Sequence, residues 1–292
     1  MNRHLYKFAG LEFEIIMPEH RLYKNEYRLA PFKADKVKEP HLMEFKWADV
    51  LSKPKGELVS TNNSNHIYNN GDEEIRYLDV TRNDWQSSYV RVSHNGKNHI
   101  VEVTESAFPE NIALKTVLEC MSLEHLVTSV DGFVLHCSYI EVDGEAILFT
   151  APSGTGKSTQ ANLWKDYRCA NIVNGDRAVV RLTDKGAYAE GIPFSGSSEH
   201  CQNRSLPLKA IVYLEQAPVT NIRRISGYEA FSCIWKECSV NIWNAEDIEK
   251  VSSVVEKLTN GIPVFRLACT PDVTAIEALE NELTQIMEGE NE

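Results

Sequence analysis

Ala151-Pro-Ser-Gly-Thr-Gly-Lys-Ser-Thr159 is the most informative run of residues in the chain. It fits the phosphate-binding loop (P-loop) pattern G-x-x-x-x-G-K-[ST], except that Ala151 stands where a glycine is usual. Gly154 and Gly156 can take a positive φ at little steric cost, so successive backbone N–H groups can turn inward around a phosphate. Lys157 can pair with the outer phosphates, and Ser158 can offer its hydroxyl to Mg²⁺. The nucleotide-binding residues predicted from this stretch are Ser153, Gly154, Thr155, Gly156, Lys157, Ser158 and Thr159.

The residues on either side of the loop support this interpretation. Glu145-Ala-Ile-Leu-Phe-Thr150 is a short apolar run that follows the turn Asp143-Gly144, and it predicts a buried strand. Ser158-Thr-Gln-Ala-Asn-Leu-Trp-Lys165 has the composition of a helix start. A strand, a glycine loop and a helix in this order point the helix N-terminus at an anion. The sequence therefore predicts a site for a nucleoside phosphate, and a plain surface turn is the alternative.

Composition narrows the class of protein. The 292 residues suffice for one large domain or two ordinary ones, and the 42% hydrophobic content is typical of a soluble globular chain. The net charge of −12 argues against nucleic-acid binding, which needs Lys and Arg to neutralise phosphates. No stretch approaches the ~18 apolar residues of a membrane span, and the first residues contain no apolar signal core. The seven cysteines form no C-x-x-C pair, so we expect reduced thiols and a cytoplasmic location.

Two regions of different pattern follow one another along the chain. Residues 1–110 predict a β-rich region, with turn clusters such as 62–65 and a hairpin at Asn95-Gly96. After Pro109 a helical periodicity runs from Asn111 to about Ser129. Residues 111–292 mix strands and helices around the phosphate loop, which predicts an α/β domain. Further elements are predicted at Lys209–Glu215 and Val264–Ala268 as strands, and at Tyr228–Asn241, Ala245–Asn260 and Val273–Met287 as helices.

The stretch from Leu135 to Thr159 resembles the nucleotide-binding core of the HPr kinase/phosphorylase family, which is grouped with the phosphoenolpyruvate carboxykinases. Members of that family have a histidine on the strand that pairs with the strand before the phosphate loop. His136, fifteen residues before Ala151, matches this histidine. The resemblance covers about residues 110–290 and implies an α/β fold with a phosphoenolpyruvate-carboxykinase-like P-loop kinase core.

Three further stretches resemble the family in part. The family has two adjacent acidic residues after the loop, and this chain keeps the second as Asp176 but has Gly175 in place of the first. Gly191–Ser198 and Asn203-Arg204 look like the smaller HPr-kinase-like proteins, which do not act on HPr itself. Those proteins are often found with peptide-maturation or small-molecule pathways.

The resemblance assigns roles to individual residues. Asp176 would hold Mg²⁺ together with Ser158 or take a proton from an attacking hydroxyl, and a turn-forming aspartate is the alternative. His136 would orient a phosphate oxygen or move a proton, although a core histidine is an open alternative. Arg204 or Arg177 would neutralise charge on the transferred phosphoryl group, unless each is an ordinary surface arginine.

We therefore expect a kinase, a phosphotransferase that uses ATP and Mg²⁺ to phosphorylate an alcohol group of a small molecule or peptide. A serine-type hydroxyl is one such acceptor. A nucleotide-binding accessory or regulatory protein without transfer activity is the alternative, which the missing acidic residue favours. A carboxykinase-like lyase is a more remote alternative, because it needs a second metal site and an arginine cluster. Analogy with the ring-forming HPr kinases leaves a homo-oligomer open.

Overall fold

The computed structural model describes residues 2–18, 28–61, 65–78, 88, 90–104 and 114–289. The chain divides into two compact units, Met1–Leu126 and Val127–Glu292. The boundary predicted at 110/111 lies outside the described residues and stays a prediction. The boundary between the two units lies later in the chain, after Leu126, so residues 114–126 belong to the first unit rather than to the second.

An eight-stranded sheet forms the first unit, as the β-rich pattern predicts. Among the described residues its strands are, in spatial order, β1 (Asn2–Phe8), β2 (Leu11–Met17), β3 (His41–Ala48), β8 (Asn98–Thr104), β7 (Val90–His94), β6 (Glu74–Leu78), β5 (His66–Asn69) and β4 (Glu57–Thr61). The pairs β2–β3 and β3–β8 are parallel, and the other neighbouring pairs are antiparallel. Side chains along Leu11–Met17 alternate between buried and half-buried, as the sequence alternation requires. The predicted Asn95-Gly96 turn joins two antiparallel strands, which confirms the hairpin, whereas the predicted turn at 62–65 lies largely outside the described residues.

The segment after the sheet corrects one prediction. Instead of one helix from Asn111 to Ser129, the described part contains α1 (Leu114–Glu119), α2 (Leu123–Leu126) and a 3-10 turn at Val127–Val130. The break has a backbone cause, because Ser122 takes a φ of 51° and a left-handed residue cannot continue an α-helix. Hydrophobic periodicity alone does not show such a break.

In its described part, residues 127–289, the second unit combines a nine-stranded sheet with four α-helices. The predicted helix Tyr228–Asn241 is shorter than expected, because Cys238 and Ser239 pair with the strand that begins at Gly132. The strands are β9 (Gly132–Val142), β10 (Glu145–Thr150), β11 (Asn171–Asn174), β12 (Arg177–Thr183), β13 (Gly186–Glu190), β14 (Ser205–Gln216), β15 (Asn221–Ile225), β16 (Cys238–Ser239) and β17 (Val264–Cys269). The helices are α3 (Lys157–Arg168), α4 (Gly227–Trp235), α5 (Ala245–Gly261) and α6 (Val273–Gly289).

The central strands of this sheet end along an edge where a ligand can bind. β10, β14 and β17 are parallel neighbours, so their carboxyl ends lie along one edge of the sheet. Ligands of open α/β sheets bind at such an edge. The side chains of β10 are buried on both faces, with Leu148 in one apolar cluster and Phe149 in the other. This two-sided burial explains why β10 is a continuous apolar run in the sequence.

The long strand β9 changes partners along its length. Residues up to His136 pair with β12, and residues from Cys137 onward pair with β10. His136 therefore lies opposite Arg177, while the next residue lies opposite Thr150, where β10 ends. This crossover brings three distant segments of the sequence to one place. Among the residues that the structure describes, no helix combines the length and apolar character needed to cross a membrane.

Candidate functional site

The P-loop lies between the carboxyl end of β10 and α3. Gly154 has a φ of 81° and Gly156 a φ of 121°, and a Cβ at either position would meet nothing within 4 Å. These glycines are therefore required by backbone conformation rather than by space. α3 begins at Lys157, and no side chain in the described part of the chain caps its Gly156 end, which leaves its first N–H groups pointing into the loop.

Ala151 is the departure from the usual pattern, and its surroundings account for it. It is not among the residues with a positive φ, so a glycine is not required there. Its methyl group is fully buried in an apolar cluster that includes Phe149 and Trp164. The alanine therefore extends the core beneath the loop without changing the loop's conformation.

Lys157 is held inside the loop. Only 7% of its surface is exposed, and its Nζ donates hydrogen bonds to the carbonyl oxygens of Ala151 at 2.8 Å and Pro152 at 3.3 Å. Burial lowers the pKa of the Lys157 ammonium, while the charges of Glu237 and Asp176 act in the opposite direction. Because its hydrogen-bond partners among the described residues are carbonyl oxygens, Lys157 can transfer these hydrogen bonds to an anionic ligand.

Asp176 is held by the buried residue Asn174. The Oδ1 atom of Asn174 accepts hydrogen bonds from the backbone N–H groups of Asp176 at 2.9 Å and Arg177 at 3.1 Å. Its Nδ2 atom donates to the carbonyl oxygens of Ile192 and Phe194, both at 2.9 Å. The Asp176 carboxylate accepts a hydrogen bond from Arg177 Nε at 3.0 Å. The aspartate does lie in a turn, as the alternative interpretation expects, but its carboxylate also faces the P-loop cleft.

His136 connects Asp176 to a residue that the sequence did not indicate. Its Nε2 atom lies 4.0 Å from Asp176 Oδ1, and its Nδ1 atom lies 3.3 Å from Glu237 Oε2. Its backbone N–H also donates to the Glu237 carbonyl oxygen at 3.0 Å. The Glu237 side chain is only 8% exposed. It lies 101 positions from His136, so no local spacing pattern could have found it.

A serine-rich segment, residues 195–198, packs directly against Gly175 and Asp176. A Cβ added to Gly175 would lie 2.3 Å from Ser198 Oγ, and one added to Gly196 would lie 2.7 Å from Asp176 Cγ. The segment closes on itself, because Ser198 N–H donates to the Ser195 carbonyl oxygen at 2.8 Å. There is therefore no room for a side chain at Gly175, and an acidic residue cannot occupy that position without moving this segment.

These groups surround a cleft of about 470 Å³, which we call the first cleft. Of the predicted nucleotide-binding residues, Thr155 lines a neighbouring cleft instead, and the others line the first cleft. The predicted residues that the first cleft brings together are Ser153, Gly154, Gly156, Lys157, Ser158, Thr159, His136 and Asp176. Ser198 and His200, from a polar stretch whose sequence is typical of a loop that could close over a substrate, also line it.

Arg204 is the predicted catalytic residue that the structure places elsewhere. It does not line the first cleft, and its guanidinium pairs with Glu141. Glu141 lies five residues beyond His136 in β9, which corresponds to roughly 16 Å of strand. Of the two candidate arginines, Arg177 is therefore the one beside Asp176.

Comparison with known proteins gives a family and solved structures of distant similarity. The family described as "ScmC: SynChlorMet cassette protein ScmC" matches residues 100–281. No curated protein matches the chain. Among solved structures, the Hpr(Ser) kinase/phosphatase from Coxiella burnetii aligns with 12% identity and a TM-score of 0.34, over 54% of this chain and 94% of that protein.

Proposed function

The chain belongs to the family of SynChlorMet cassette protein ScmC, and we propose that it is an ATP- and Mg²⁺-dependent phosphotransferase that acts on a hydroxyl group. The acceptor would be a small molecule or a peptide with a serine-type hydroxyl. One observation carries the proposal: the buried Lys157 of a glycine loop shares one cleft with the carboxylate of Asp176 and the ring of His136. We take the second unit to be a kinase core of the HPr-kinase and phosphoenolpyruvate-carboxykinase type, as the sequence resemblance implies.

The residues present fit a magnesium nucleotide. The glycine positions leave open space in front of the loop, and the first N–H groups of α3 face that space. Ser158 and Asp176 would hold the metal, because a hydroxyl and a carboxylate are hard oxygen ligands. Within the described ranges, no three His, Cys, Asp or Glu side chains form a metal-binding group. Mg²⁺ is commonly held by one or two protein oxygens together with substrate phosphates, so this small donor set is adequate.

Positioning and charge neutralisation supply the catalysis in this proposal. Bound Mg²⁺ would neutralise negative charge on the phosphates. Lys157 would exchange its carbonyl partners for phosphate oxygens. The acceptor oxygen would form a bond to the terminal phosphorus of ATP, while the bond from that phosphorus to the oxygen of the leaving ADP breaks. Asp176 would either complete the metal site or accept the hydroxyl proton, and His136, held by Glu237, would fix the orientation of that carboxylate.

A transfer assay with two variants tests the proposal. The protein is incubated with γ-labelled ATP, Mg²⁺ and a panel of serine peptides and small alcohols. We expect label on at least one acceptor, loss of ATP binding in Lys157→Ala, and a kcat in Asp176→Asn lower by about 10²-fold, with ATP affinity changed much less. Lys165→Ala is the matched control, because Lys165 is an exposed lysine on the same helix.

The same assay decides between this proposal and a second candidate, a nucleotide-binding accessory protein. The close packing of Ser198 against Gly175 favours that candidate, because it leaves no room for a second carboxylate. Tight ATP binding without turnover on any acceptor would support the accessory protein and contradict the phosphotransferase. Normal turnover in Asp176→Asn would show that Asp176 serves only the turn.

A further inference from the structure

A second cleft, of about 500 Å³, opens on the opposite side of the P-loop from Asp176. The first cleft lies toward β9 and β12, whereas the second lies over the carboxyl ends of β14 and β17. Gly154, Gly156 and Thr159 line both clefts, so the two meet at the loop. A ligand bound across the loop would therefore have one end in each cleft.

The walls of the second cleft are largely uncharged. They include Leu214, Ala217, Pro218 and Pro271, and Glu215 is the one charged residue among those that line it. The Glu215 carboxylate is paired with Arg266 at 2.5 Å. Phosphate groups would gain little here, whereas a flat, weakly polar group would bury its faces against apolar side chains.

The second cleft is also preformed. Gln216 Nε2 lies 3.4 Å from the carbonyl oxygens of Gly154 and Thr155, which links the end of β14 to the P-loop. Ala217 N–H donates to the Cys269 carbonyl oxygen at 3.2 Å, which links the ends of β14 and β17. A cleft with a fixed floor loses little conformational entropy when a ligand binds.

Gln160 adds a polar group to the wall of this cleft. It is 3% exposed, and its Nε2 donates to Cys269 Sγ at 3.3 Å. Its Oε1 makes no hydrogen bond within the described part of the chain. A buried acceptor without a donor is uncommon in proteins, and the N–H groups of a nucleobase are donors of the matching kind.

We propose that the second cleft binds the base and ribose of the nucleoside triphosphate, while the first cleft binds its outer phosphates and the acceptor. This inference rests on the proposed function, because it needs a nucleotide at the P-loop. The volume suits a nucleoside, since small-molecule sites commonly measure about 300–1,000 Å³. The charged residues determine which cleft binds which end of the nucleotide. Lys157, Asp176 and His136 line the first cleft and not the second, so the phosphates are assigned to the first cleft.

Binding of two ligands to the full chain tests this assignment. Mg²⁺–ATP and Mg²⁺–tripolyphosphate share the phosphates and differ in the nucleoside. We expect wild type to bind ATP more tightly by about tenfold or more, since the nucleoside adds its own contacts. Ala217→Trp should fill the second cleft and reduce ATP affinity to that of tripolyphosphate, with tripolyphosphate affinity kept within about twofold. Val219→Trp is the matched control, because Val219 lies on the same loop but is 73% exposed and does not line the cleft.

Each failure has a distinct signature. If Ala217→Trp binds ATP as tightly as wild type, the nucleoside does not lie in the second cleft, and the proposed function is unaffected. If Ala217→Trp loses both ligands while its melting temperature is unchanged, the phosphates lie there and the assignment is wrong. If wild type binds neither ligand, the proposed function fails and this inference fails with it. Should Ala217→Trp not fold, Ala217→Leu supplies a smaller obstruction at the same position.

Discussion

Glu237 shows how a single buried residue can determine the behaviour of a candidate catalytic group. Its carboxylate and its carbonyl oxygen both contact His136, one at the ring and the other at the backbone. A carboxylate accepts a hydrogen bond from a protonated ring nitrogen, so Glu237 holds Nδ1 of His136. This contact leaves Nε2 as the nitrogen that faces Asp176. A histidine fixed in this way differs from one that is merely packed in a core.

We therefore predict that Glu237→Gln lowers kcat by about tenfold while KM for ATP changes little, because the ring loses its charged partner but the phosphate contacts remain. The substitution keeps the side-chain volume and leaves the backbone contact with His136 in place. Steady-state kinetics with the identified acceptor gives both constants. Glu249→Gln, on the exposed face of α5, is the control and should leave them unchanged. If Glu237→Gln lowers the melting temperature together with kcat, the role of Glu237 is structural only.

At the scale of elements, the sequence predicts what is local and misses what the topology brings together. The strand–loop–helix unit around Lys157 could be predicted because its glycines, lysine and apolar flanks are consecutive. β10 was predicted with the same bounds as the structure has. By contrast, Asn174, Ser198 and Glu237 act on the site through the crossover of β9 and through a loop between β13 and β14. No periodicity records such contacts between distant segments.

The contact between Gly175 and Ser198 gives a prediction at this scale. Gly175→Ala should destabilise the second unit by about 1–3 kcal/mol, because the new methyl group would overlap Ser198 Cβ and Oγ. Adding Ser198→Gly should recover most of that loss, since it removes both overlapping atoms. Urea unfolding followed by a probe in the second unit measures the shifts. Gly261→Ala is the control, because nothing lies within 4 Å of the position that a Cβ atom would take there. Additive effects of Gly175→Ala and Ser198→Gly would contradict direct packing.

At the scale of the whole molecule, the first unit contains a group of buried and half-buried histidines that should make its stability depend on pH. Burial lowers the pKa of His41, His94 and His99, and that of His99 most strongly. Glu74, 3.1 Å from His94, acts in the opposite direction on that ring but does not outweigh burial. These rings are therefore neutral in the folded unit at a pH where the unfolded chain begins to protonate them.

The sign of the effect follows from linkage. Below the ordinary histidine pKa of about 6.5 the unfolded chain binds more protons than the folded one, so the free energy of unfolding falls as pH falls. We predict a lower urea midpoint for the first unit at pH 5 than at pH 8. His99→Leu should reduce this dependence, because it removes the ring whose pKa burial lowers most strongly. The ring nitrogens of His99 make no hydrogen bond within the described part of the chain, so the substitution breaks none there. An equal pH dependence in both proteins would contradict the assignment.

The division into units gives the last prediction, which compares two starting points for a C-terminal fragment. All residues of both clefts lie between 136 and 271, within the second unit, so fragment 127–292 should bind Mg²⁺–ATP with the affinity of the full chain. Fragment 111–292 follows the boundary predicted from the sequence and also carries α1 and α2. In the whole chain Leu114, Val117 and Leu118 of α1 are buried, and α1 groups with the first unit.

Without the first unit, those three side chains would face water and promote association. We therefore expect fragment 127–292 to be monodisperse in size-exclusion chromatography and fragment 111–292 to self-associate, with calorimetry reporting ATP binding for each. The full chain is the reference for both measurements. If only fragment 111–292 folds and binds ATP, then α1 and α2 stabilise the nucleotide-binding unit, and the sequence-based boundary is the better one.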